Sequence, residues 1–95
     1  MKYIVLKVEG KDGFSFEVPF VFTEMQVHAI VAQAMIGMFK ITHPECRSEA
    51  ISAGMFSSTE FGGGCGGIST SLNLKSRGSV DDRLLTMNDY GVGFL

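Results

Sequence analysis

Between Thr23 and Lys40 apolar residues fall on nearly every face of a helix. Met25, Val27, Ala29, Ile30, Val31, Ala32, Ala34, Met35, Ile36, Met38 and Phe39 leave only Glu24, Gln26, His28, Gln33 and Lys40 polar. Gln26, Gln33 and Lys40 recur at seven-residue intervals and draw one narrow wet stripe. A single sheet covers only one stripe of such a helix. The remainder calls for a second surface, and the pattern predicts self-association with another copy of the chain. Thr23-Glu24-Met25-Gln26 reads as a capping box that starts this helix, and Pro44 closes it after Ile41-Thr42-His43.

On the N-terminal side, the apolar run in Lys2 to Glu9 and the strict alternation from Phe14 to Val18 predict two strands. Gly10-Lys11-Asp12-Gly13 supplies the hairpin turn, and Pro19 marks either the end of the second strand or a sheet edge. Glu49 to Ser58 reads as a strand covered on both sides, with Ala50, Ser52, Gly54 and Phe56 on one face and Ile51, Ala53 and Met55 on the other. Its small residues Ser52, Ala53 and Gly54 admit a close neighbour. Gly62 to Gly67 reads as a mobile loop, a hairpin tip or a flap over a ligand. Ile68, Thr70, Leu72 and Leu74 then alternate with polar residues as one half-buried strand. A short helix follows from Ser79 to about Met87, with Asp81 and Asp82 in its first turn. Phe94 and Leu95, in the apolar tail, are expected to dock on a neighbouring surface. The expectation is a single α+β domain over residues 1–95 in the order ββαββα. Its mostly antiparallel four-stranded sheet packs on one long apolar helix, with a short C-terminal helix.

Bulk composition narrows the function classes. A chain of 95 residues that is 45% hydrophobic folds as a globule, and a net charge of −2 lacks the electropositive footprint of a protein that binds a nucleic acid polymer. A small anionic ligand needs only a few placed cations. The apolar stretch from Ala29 to Phe39 is shorter than the roughly 20 residues that cross a bilayer, so no membrane partner is expected. The N-terminus shows no signal-peptide pattern, which predicts a cytoplasmic protein with Cys46 and Cys65 as free thiols. Those cysteines, His28 and His43 lack the spacing of a finger or ribbon, so neither metal nor cofactor is expected.

Signs of catalysis are sparse. No serine lies in a G-x-S-x-G elbow, and neither His28 nor His43 has a readable nucleophile partner, so the chain reads as a non-enzyme. The glycine run has no G-K-[ST] ending and precedes a strand. Ser76-Arg77-Gly78-Ser79 is the better anion candidate, because backbone N–H groups and a guanidinium converge at a helix start. The alternative is that Arg77 pairs with Asp81 or Asp82. In a ligand-binding reading, Arg47, Lys75 and Arg77 meet phosphate and Phe56 or Phe61 stacks on a base. Ser69, Ser71 and Asn73 then supply polar contacts.

The run Ile51-Ser52-Ala53-Gly54-Met55-Phe56, the Gly/Cys loop and Ser69-Thr70-Ser71-Leu72-Asn73-Leu74-Lys75-Ser76-Arg77 together resemble small proteins of tailed phages, over about the last half of the chain. The resemblance implies an anti-defence role. One such class comprises oligomeric sponges that sequester cyclic nucleotide or ADP-ribose signals without cleaving them. The function expected is therefore a homo-oligomer that sequesters a small, anionic, nucleotide-derived ligand, or else an interaction protein that blocks a host protein through a surface.

Overall fold

The computed structural model describes residues 1–57, 64–87 and 93–94. β1 (Lys2–Glu9) and β2 (Ser15–Phe22) form the expected antiparallel hairpin. At its turn the Gly10 N–H donates to the Phe14 carbonyl at 2.7 Å, and the Asp12 carboxylate accepts from the Phe14 N–H at 3.2 Å. Gly13 holds φ at 82°, a conformation that only glycine adopts without cost. β2 does not stop at Pro19. It runs on to Phe22, with Pro19 buried and paired to Val5 of β1, while Phe20 and Val21 pair on the outer side with a further strand.

The long helix starts later than its sequence suggests. α1 spans His28–Thr42, and Thr23 to Gln26 closes a turn in which the Gln26 N–H donates to the Thr23 carbonyl at 3.1 Å. Val27 is the N-cap and offers no side-chain acceptor. The cap comes instead from a distant residue. Ser71 Oγ accepts the Ala29 N–H at 3.1 Å and satisfies one of the donors that a helix start leaves unpaired.

β3 (Arg47–Ser57) lies antiparallel to β1, with a register shift between Val5 and Leu6. This bulge breaks the expected alternation. Ala50 and Ala53 both pack toward α1, whereas Ile51 packs toward the opposite face and Ser52 makes its hydrogen bond there. Part of the glycine run is ordered as a strand, contrary to the loop expected from its composition. β4 (Gly64–Gly66) pairs with Met55 to Ser57 of β3, while Gly62 and Gly63 lie outside the described residues. Gly54 makes this approach feasible, because a Cβ there would run into the Gly66 carbonyl. The single strand expected from Ile68 to Leu74 is two short ones, β5 (Ile68–Ser69) and β6 (Leu74–Lys75), joined by a turn in which Asn73 adopts φ of 55°. α2 (Ser79–Met87) has the expected bounds. β7 (Gly93–Phe94) pairs in parallel with Phe20 and Val21 of the same chain; Leu95 lies outside the described residues.

The protein is thus α+β; its described residues form two helices and a mostly antiparallel sheet ordered β4-β3-β1-β2-β7, its first four strands antiparallel. The element order is longer than ββαββα. Ile4, Leu6, Phe20, Phe22 and Ala53 form the floor on which Val31, Ala32 and Met35 of α1 pack. On the reverse face Tyr3, Val5 and Val21 pack with Leu85 of α2. A strand covered on both sides needs a continuous apolar run, which is why β1 carries Tyr3-Ile4-Val5-Leu6 without a break.

α1 buries only part of its apolar surface. His28, Val31, Ala32 and Met35 face the core, and each large apolar side chain there contributes about 1.5–3 kcal/mol. His28 Nε2 lies 3.0 Å from the Gly54 carbonyl, so that nitrogen carries the donated proton, and the ring stands edge-on to Phe22. Ile30 and Ile41 remain exposed on the opposite side, at 59% and 83%, and Val27 and Met38 are exposed beside them.

Candidate functional site

A buried polar cluster occupies the α2 face of the sheet. Asp81, in the first turn of α2, is fully buried, and its two carboxylate oxygens accept four hydrogen bonds. Oδ1 takes Ser52 Oγ at 3.0 Å and Arg77 Nε at 2.7 Å; Oδ2 takes the Tyr3 hydroxyl at 2.6 Å and the Arg77 backbone N–H at 2.9 Å. The phenolic hydrogen is therefore committed to Asp81, and the Ser76 hydroxyl, 2.6 Å away, donates to the Tyr3 oxygen. Ser76 Oγ in turn accepts the Gly78 N–H at 3.0 Å. The Arg77 fork is completed by Glu17, whose Oε1 accepts from an NH2 nitrogen at 2.7 Å.

Electrostatics follow from this geometry. Burial alone would raise the Asp81 pKa, but donors from Tyr3, the Arg77 backbone and guanidinium, and Ser52 hold it below the usual carboxylate range. The Tyr3 phenol is pushed up by burial and then by its bond to Asp81. Burial pushes the Cys65 thiol up to about 11. Glu17 and then Asp81 stabilise the charged Arg77, against the opposing effect of burial. Every lone pair of Asp81 is occupied, so this cluster ties β1, β3, β2 and α2 together and its buried carboxylate presents no free acceptor to a substrate.

The surface beside α1 is open. A groove of about 420 Å³ runs between α1, β3 and the β5–β6 hairpin. Ala29, Ala32, Ile36 and Ala50 give it an apolar floor, while Gln33, Ser48, Glu49 and Ser71 give it a polar rim. A second depression of about 200 Å³ is lined by Ser69, Asn73 and Lys75, together with Ile68, Thr70 and Leu74. Cys46 and Cys65 are free thiols. Among the described residues no three His, Cys, Asp or Glu side chains converge as a metal cage would require, and no helix is long and apolar enough to cross a membrane.

The residues singled out in the sequence separate into five places. Ser69, Asn73 and Lys75 share the small depression. Ser71 lines the larger groove while capping α1; Ser69 Oγ, 3.3 Å from Ser71 Oγ, also accepts the Leu72 N–H at 3.3 Å. Arg47 sits at one end of β3 in an exposed charged hollow with Lys7, Glu9 and Glu49. Phe56 lies near the other end of the same strand, half-buried against the α2-side core. Nine residue steps of extended strand separate Arg47 from Phe56 by roughly 30 Å, too far for one nucleotide to touch both within a single chain. Phe61 lies outside the described residues. Arg77 is held by Asp81 and Glu17, as the ion-pair alternative anticipates, although Asp81 is buried rather than superficial.

Tyr3, Ser52, Ser76, Asp81 and Glu17 were not singled out by sequence as one group. One signal was present: a tyrosine inside an otherwise apolar, doubly covered strand must find a partner for its hydroxyl. No protein-family model matches the chain, and it has no match among curated proteins or solved structures.

Proposed function

We propose that this protein works by binding rather than by chemistry, as a homo-oligomer that holds a small anionic, nucleotide-like ligand without transforming it. The observation that carries the reading is the adjacency, on one helix, of an open groove and an uncovered apolar face. Ala29, Ala32, Gln33 and Ile36 of α1 line the groove, and Ile30, Met38 and Ile41 of the same helix face solvent. An exposed apolar stripe of this kind favours association, and a groove beside it becomes a pocket when a second surface closes its mouth. Lys75, Ser69 and Asn73 offer a further cation and polar groups in the neighbouring depression. Sequestration of a host signal, the role implied by the phage resemblance, is one use of such a binder.

Native mass spectrometry of the protein purified from phage-infected cells, followed by mass analysis of any released small molecule, tests the reading. The expected result is an oligomer carrying an intact anionic ligand. A chemically altered ligand would contradict the reading in favour of an enzyme, and a monomer bound to a host protein would favour inhibition through a protein surface.

A further inference from the structure

The exposed side of α1 carries a finer pattern than apolarity alone. Val27, Ile30, Ala34, Gly37 and Ile41 are spaced by alternating steps of three and four residues, the repeat of a helix that packs against another helix. This seam lies opposite the buried positions Val31, Ala32 and Met35. Within α1 the seam reads Ile30, Ala34, Gly37, Ile41, which is large, small, small, large in either direction. A palindrome is what an antiparallel pair requires, since it sets Ile30 against Ile41 and Ala34 against Gly37 in both halves at once. A side chain added at Gly37 would meet nothing within 4 Å, so the centre of the seam is open to a second backbone. Antiparallel pairing also places the positive end of one helix dipole beside the negative end of the other.

We propose that two copies associate through antiparallel α1 helices about an axis between Met35 and Ile36, and that each copy completes the other's groove with Lys40. This rests on the homo-oligomeric reading above and specifies its interface. Gln33 and Lys40 lie seven residues apart on the rim between seam and groove, and in the antiparallel register Lys40 of the partner subunit falls beside Gln33. Among the described lining residues the groove holds an acid, Glu49, and no cation of its own protomer. Lys40 of the partner subunit offsets that charge, which complements the two surfaces and gives the closed groove the cation that an anionic ligand needs.

Cysteine cross-linking tests the register in a Cys46→Ser, Cys65→Ser background whose fold is verified by circular dichroism. Ile30→Cys mixed with Ile41→Cys, and Gln33→Cys mixed with Lys40→Cys, should each give covalent dimers on mild oxidation. Either Ile30→Cys or Ile41→Cys alone should not, because eleven residues of helix part like positions by about 16 Å and a disulfide spans less than about 7 Å between Cα atoms. Bridging by the single variants would overturn the antiparallel pairing while leaving self-association intact. Should the cysteine-free background lose its fold, hydrogen exchange of the wild-type chain serves: protection over 30–41 should rise with protein concentration. Concentration-independent exchange there, with a monomeric mass, would overturn both this proposal and the oligomeric reading.

Discussion

The Tyr3 hydroxyl lies 2.6 Å from Asp81 Oδ2 and joins β1 to the short helix α2 across 78 positions of sequence. Neither group is exposed, and the pair forms the centre of a cluster in which Ser52 and Arg77 occupy the remaining lone pairs of the carboxylate. Tyr3→Phe removes one donor while preserving the ring. It should cost about 1.5–3 kcal/mol in urea denaturation, the range for a hydrogen bond to a charged group. Unchanged stability would show that water replaces the phenol at no cost.

Arg77 is expected to behave as a structural arginine. Arg77→Ala leaves Asp81 buried with one charged partner fewer, so the loss should be about 2 kcal/mol, above the ~1 kcal/mol ceiling of an exposed pair. Arg77→Lys should recover only part of it, because one ammonium cannot span Asp81 and Glu17 as the guanidinium fork does. Thermal melts of the three proteins, with any ligand affinity measured in parallel, separate this from a phosphate-binding role.

The same cluster sets the pH dependence of stability at both ends. The Asp81 pKa is depressed in the folded state, so its contribution is fully present above the unfolded carboxylate pKa near 3.9 and disappears as pH falls through the folded value. Cys65 acts in the opposite sense. Its folded pKa is raised from 9.0 to about 11, so the unfolded chain ionises first and stability falls between those values as pH rises. Asp81→Asn should flatten the acid limb of a stability–pH curve and Cys65→Ala part of the alkaline limb; Tyr3, also raised, keeps the remainder.

Ser71 caps a helix from which it is 42 residues distant. Ser71→Ala should therefore lower stability by about 1 kcal/mol, the usual worth of an N-cap acceptor. Amide exchange at the first turn of α1, and at Ala29 in particular, should accelerate more than exchange at Met35.

The fold was legible where its causes are local. Gly10 to Gly13 can hardly form anything but a turn, and Ser79 with Asp81 and Asp82 marks the start of α2 in its own chemistry. Misreadings arose where a distant residue decides. Thr23-Glu24-Met25-Gln26 has the composition of a capping box, yet α1 begins four residues after Glu24 because its cap, Ser71, comes from the β5–β6 hairpin. The glycine run becomes a strand because Gly54 lets Gly66 lie against β3. Alternation in β3 fails at the bulge between Val5 and Leu6 partners, a feature of pairing that one strand alone does not encode. The Asp81 cluster draws on β1, β2, β3 and α2, so only its local Arg77–Asp81 pair was legible, and the tyrosine within β1 was the one hint of the rest.

The two faces of α1 can be distinguished by placing a charge on each. Met35 is buried in the protomer's own core, so Met35→Glu should unfold the chain, at a cost of several kcal/mol for an unpaired buried charge. Ile30 is 59% exposed, so Ile30→Glu should retain the circular dichroism and melting behaviour of an intact protomer. Sedimentation velocity at micromolar to tens-of-micromolar concentration then tests the central claim directly. Self-association through the exposed face of α1 gives a dimer or larger assembly for the wild-type protein and a folded monomer for Ile30→Glu; a wild-type monomer throughout that range would rule it out.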